Sequence, residues 1–103
     1  MEKTRLTLQT KLEEFLGSRN VYYQPPESIK LKYPCIIYEF SRFIKTPADN
    51  TSYLKNKEYT ITYRHSGVDN GKTETIMDEF SYIDFDRTYK SENLYHDVYT
   101  VIW

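Results

Sequence analysis

Glu58-Tyr59-Thr60-Ile61-Thr62-Tyr63-Arg64-His65 alternates without a break, with Tyr59, Ile61, Tyr63 and His65 on one side and Thr60, Thr62 and Arg64 on the other. A period of two, with β-branched threonines on the polar side, predicts an antiparallel strand with one wet face. Upstream, Pro34 opens a second strand over residues 35–44. Ile36, Tyr38, Phe40, Arg42 and Ile44 fall on one face of it; Cys35, Ile37, Glu39, Ser41 and Phe43 fall on the other. Both faces begin apolar, which predicts a central strand covered on at least one side. Between the two strands, Pro47-Ala48-Asp49-Asn50 is turn chemistry, and residues 45–56 read as a loop.

Moving outward from this pair, Leu8, Leu12, Phe15 and Leu16 recur at helical spacing, and Gly17 follows where a helix closes with a left-handed residue. Val21-Tyr22-Tyr23 reads as a short strand stopped by Pro25-Pro26. After the long strand, residues 66–72 (SGVDNGK) form a loop, and residues 73–82 resume helical spacing with Ile76, Met77, Phe80 and Ile83 on one stripe. Two strands, 84–89 and 95–103, close the chain around a Lys90-Ser91-Glu92-Asn93 turn. Short polar connections suit an antiparallel arrangement. The expected fold is α+β: one domain over residues 1–103, with a mainly antiparallel sheet of four to five strands and two helices packed on one face.

Length and charge narrow the function classes. The 103 residues carry 14 Lys+Arg against 15 Asp+Glu, a net charge of −1, so the strong basic excess of an electrostatic nucleic-acid binder is missing. No run of 18 apolar residues predicts a membrane span, and residues 1–11 lack the apolar core of a secretory signal. A single cysteine, Cys35, has no internal disulfide partner, which fits a reducing cytosol or a particle assembled there. Asn50-Thr51-Ser52 matches a glycosylation acceptor pattern that has no meaning without secretion.

Catalytic chemistry has few candidates. Cys35 with His65 or His96 would be a nucleophile and base, but a thiol inside an apolar strand is ordinarily inert packing. His96-Asp97 are neighbours in a strand, so their side chains take opposite faces and cannot share an ion. Both histidines read as structural groups hydrogen-bonded at a sheet edge. Gly67 and Gly71 precede Lys72-Thr73 but are spaced too closely for a phosphate loop. Lys30, Lys32, Arg42, Lys45, Lys55 and Lys57 read as solvated lysines and an arginine rather than as a patch. No catalytic residue, cofactor or metal is expected. The excess is in tyrosine: 11 rings with polar tips, in a chain with few leucines, suit both the core and subunit contacts.

A longer series then carries a likeness. Tyr33-Pro34-Cys35-Ile36-Ile37-Tyr38-Glu39, Ala48-Asp49-Asn50 with Tyr53, Lys57-Glu58-Tyr59-Thr60-Ile61-Thr62, Phe85-Asp86-Arg87 and Glu92-Asn93-Leu94-Tyr95-His96-Asp97 follow one another. This series resembles the small tail-completion proteins, tail terminators and tail-to-head joining proteins, of long-tailed phages and prophages of Gram-positive bacteria. The likeness covers residues 31–103. It implies a structural virion protein that assembles with itself into a ring, commonly a hexamer, on the head-proximal end of the tail. Its partners would be the tail-tube protein and the head connector, its place the virion and, during assembly, the host cytoplasm. In this reading Asp49, Asn50, Tyr53, Tyr99 and Trp103 are the interface candidates, with loops 45–56 and 66–72 making axial contacts. The alternative is a small cytosolic regulatory module of prophage origin that binds one protein partner.

Overall fold

The computed structural model describes residues 4–26, 30–47, 53–67 and 71–103. Helix α1 (Arg5–Leu16) starts at Thr4, whose hydroxyl accepts from the Thr7 amide while the Thr7 hydroxyl accepts from the Thr4 amide. Both are amide donors that the first turn leaves unpaired. Gly17, at φ 79°, closes the helix in the left-handed region. Leu8, Leu12 and Leu16 repeat every fourth residue and are buried. Each such side chain contributes about 2 kcal/mol of apolar burial.

Strands β1 (Val21–Tyr23), β2 (Cys35–Pro47), β3 (Tyr53–His65), β4 (Ile83–Ser91) and β5 (Leu94–Ile102) form one sheet in the order β1-β2-β3-β5-β4. Helix α2 (Lys72–Thr75) runs straight into a 3-10 turn (Ile76–Asp78) between β3 and β4. Cross-strand rows such as Ile36–Tyr63–Asp97–Thr88 and Tyr38–Ile61–Tyr99–Phe85 turn one face toward the helices. There Tyr38, Tyr59, Ile61, Tyr63, Tyr99 and Val101 join the three leucines, Ile76 and Phe80 in one core. α1 and α2 share this face, tied by Lys72 Nζ donating to the Phe15 carbonyl at 2.9 Å. The α+β class and the two helices are as expected.

Several expectations are corrected. The sheet is mixed, because β1 pairs parallel to β2. The connection between them is long enough for a crossover, which a parallel neighbour requires, and its Gln24, Pro25, Pro26 and Leu31 line a cleft with Ile37, Glu39 and Arg64 of the sheet face opposite the helices. The loop expected over residues 45–56 is mostly strand. β2 continues to Pro47 and β3 begins at Tyr53, with Thr46 facing Leu54 and Pro47 facing Tyr53, so the turn is confined to residues outside the described set. Phe43 does not oppose Phe40: a bulge at Ser41 shifts the register, and their rings meet edge to face at 4.9 Å. An extra residue reverses the alternation beyond it.

The helix expected over 73–82 ends at Asp78, and Ile83 belongs to β4. Two β-branched threonines weaken the helix, and the Tyr82 carbonyl accepts from Ile102 N–H at 3.0 Å, so the chain is already joining the sheet there. The last turn is two residues, Glu92 and Asn93, both at positive φ (54° and 64°), the conformation that a tight hairpin needs.

Candidate functional site

Asp97 faces the helices from β5, an interior strand of the sheet, and is 2% exposed. A carboxylate there is costly unless its oxygens are fully hydrogen-bonded. His65 Nε2 lies 2.8 Å from Oδ2, Thr73 Oγ1 donates to Oδ2 at 2.8 Å, and Thr88 Oγ1 donates to Oδ1 at 2.6 Å. The Gly67 amide donates to His65 Nδ1 at 3.2 Å, which assigns the ring proton to Nε2 and makes His65 the donor to Asp97. Both ring nitrogens are therefore engaged, and Tyr63 and Tyr95 stack on the ring at centroid distances of 4.7 and 5.7 Å. What this cluster does is mechanical. It joins β3, β4, β5 and α2 through one carboxylate.

Sequence reasoning missed the cluster, although a signal was present: Asp97 alternates in phase with Tyr99 and Val101, a charge in a core position. The histidines also sit in interior strands rather than at an edge. His96 takes the face opposite Asp97, as alternation requires, and stacks on Tyr89 at 4.7 Å with planes 2° apart. Cys35, Arg64, His96 and Tyr89 form one row across that face. Two strand spacings, about 10 Å, separate Cys35 from His96, too far for direct proton transfer. Burial pushes the Cys35 thiol up to about 11, with Arg64 pulling weakly the other way. Among the described residues no group of three or more His, Cys, Asp or Glu is placed to hold a metal ion. Nor is any helix long and apolar enough to cross a membrane.

The interface candidates scatter. Asp49 and Asn50 lie outside the described residues, and Tyr53 opens β3 opposite Pro47. Tyr99, expected at an interface, is fully buried in the protomer's own core, its hydroxyl donating to the Thr73 carbonyl at 2.7 Å. Trp103 is half-buried. It packs on Phe80 and donates from Nε1 to the Thr4 carbonyl at 2.9 Å, locking the chain end onto the start of α1.

Surfaces suited to docking lie elsewhere. β3 pairs with β5 only from Glu58 onward, so residues 43–47 and 53–57 form a two-stranded arm beyond the sheet, in a molecule 51 Å long and 28 Å wide. β4 is an open edge, half-buried at Ile83 and exposed from Asp84 to Ser91. Around it stand Tyr82, 65% exposed, and Phe85, 46% exposed. On the face away from the helices, a cleft of about 340 Å³ opens between the β1–β2 connection and the sheet, lined by Gln24, Pro25, Pro26, Leu31, Ile37, Glu39 and Arg64. No protein-family model and no curated protein matches the chain.

Proposed function

We propose that this protein is a structural component of a phage or prophage tail, acting as a tail terminator or tail-to-head joining protein. It caps the head-proximal end of the tail tube and docks it to the head connector, working as a ring of identical copies. The observation that carries this reading is the residue series from Tyr33-Pro34-Cys35 through Glu92–Asp97, which resembles those proteins over residues 31–103.

The fold supplies surfaces of the kind such a part needs. A ring needs lateral contacts between unlike patches, and the two sheet edges are unlike: a long exposed β4 against a three-residue β1 backed by a cleft. Axial contacts need projections, and the β2–β3 arm is one. The polar cluster at Asp97 holds this framework rigid and has both histidine nitrogens committed, in keeping with a part that works by shape.

Polymerisation of a purified phage tail-tube protein tests the reading. With purified protein added, electron micrographs should show tubes that stop growing and carry a cap at one end. Tubes of unchanged length with bare ends would reject the proposal.

A further inference from the structure

Among the described residues, Arg64 has no ion-pair partner within its own protomer. Its Nε is sealed from solvent without a hydrogen-bond partner. A guanidinium drawn partly out of water calls for a carboxylate or similar acceptor to offset its lost hydration. The cleft it lines has apolar walls at Pro25, Pro26, Leu31 and Ile37 and one exposed carboxylate, Glu39, which is outnumbered by Arg64 with Lys30 and Lys32, exposed on either side of Leu31. The site therefore fits an acidic segment that also carries apolar surface.

This chain owns such a segment, at its opposite edge. From Thr73 to Asp86 the sequence carries Glu74, Asp78, Glu79, Asp84 and Asp86 and not one lysine or arginine. Glu79 is engaged by Lys11 at 3.9 Å; Asp84 and Asp86 are exposed on the open edge strand β4, beside the exposed rings of Tyr82 and Phe85. Within one copy the strand order β1-β2-β3-β5-β4 keeps this edge on the far side of β5 from the cleft.

We propose that residues 82–86 of a second copy dock in the Arg64 cleft, with Asp84 as the counter-ion of the guanidinium. The Tyr82 ring, on the Asp84 side of the strand, lies against Pro25, Pro26 and Leu31. The contact joins two different patches, so each copy keeps one free cleft and one free edge, and successive copies close into a ring or extend as a filament. It rests on the self-assembly part of the proposed function and not on the tube. The lysine and the bulge that β4 carries (Lys90 and Asp86) discourage simple edge-to-edge strand pairing, leaving side-chain docking as the mode available to this edge.

Sedimentation velocity over a concentration series at low salt tests it, with circular dichroism as the check on folding. The wild-type chain should self-associate, and less so as salt screens the pair. Arg64→Glu alone, and D84K/D86K alone, should each weaken association at least about thirtyfold, the lower range for breaking a desolvated charge pair. An equimolar mixture of the two should recover it, because the reversed cleft of one meets the reversed edge of the other. Only exposed residues change in D84K/D86K, so that variant decides the matter even if Arg64→Glu folds poorly.

A wild-type chain that stays monomeric throughout, or a D84K/D86K variant that associates like wild type, overturns the contact. Tube growth separates this from the tail reading. Self-association with the predicted charge dependence but no effect on tubes supports the contact while rejecting the tail role. Monomeric charge-reversed variants that still cap tubes as rings reject the contact alone.

Discussion

Replacing Asp97 by alanine removes the acceptor for His65, Thr73 and Thr88 together and leaves the buried His65 Nε2–H unmatched, while the less buried threonine hydroxyls lose their partner. The expected loss is about 3 kcal/mol or more, read as a lower midpoint in urea unfolding; Asp97→Asn keeps the shape and one acceptor and should lose less. Gly67 is constrained twice over. Its φ of 100° disfavours any side chain, and a Cβ there would meet the Tyr95 ring at 2.7 Å. Gly67→Ala should therefore lower the thermal midpoint and disturb the stacking on His65.

Cys35 supplies a pH test at the same scale. Its folded thiol is raised from 9.0 to about 11 by burial, and Tyr38 and Tyr59 are raised for the same first reason. A raised acid holds its proton in the folded state over a range where the unfolded chain has released it. The contribution is thus complete below pH 9 and is lost as pH climbs toward 11. Unfolding free energy should be level from neutrality to about pH 8 and fall above it, and Cys35→Ser should flatten part of that fall. Equal stability at pH 7 and about pH 10.5 would contradict the burial account.

At the level of elements, α1, β3 and the β4–β5 hairpin were legible because each rests on one period, one cap or one turn. The repeat at Leu8, Leu12 and Leu16 with Gly17 named the first helix, and clean alternation named β3. The remainder depended on partners outside the local window. No local signal in residues 21–23 says that β1 runs parallel to β2. The one-residue bulge at Ser41 inverts every position after it, and the helix after Gly71 yields to strand pairing that Ile102 imposes. Asp97 was hidden for a related reason: its partners come from three other elements.

Two expectations follow here. Leu12→Ala, at a fully buried position, should cost about 2–5 kcal/mol and loosen α1 from the sheet. In the arm, strand pairing stands without a third strand, so its amides should exchange with solvent much faster than those of residues 59–65, as hydrogen-exchange mass spectrometry of overlapping peptides would show.

At the scale of the whole molecule, a small sheet with a tyrosine-rich core presents, among the described residues, the arm, the β4 edge and the Arg64 cleft. A part that holds other parts together needs such surfaces to differ from one another, and these differ in shape and in charge. The proposed function puts this protein at one end of a tail tube. Gold-labelled antibody against the protein, applied to isolated tails and imaged by electron microscopy, tests that placement most directly. Label is expected at the head-proximal tip alone, one cluster per tail. Label along the tube or at the distal tip, or intact tails carrying none, would contradict it.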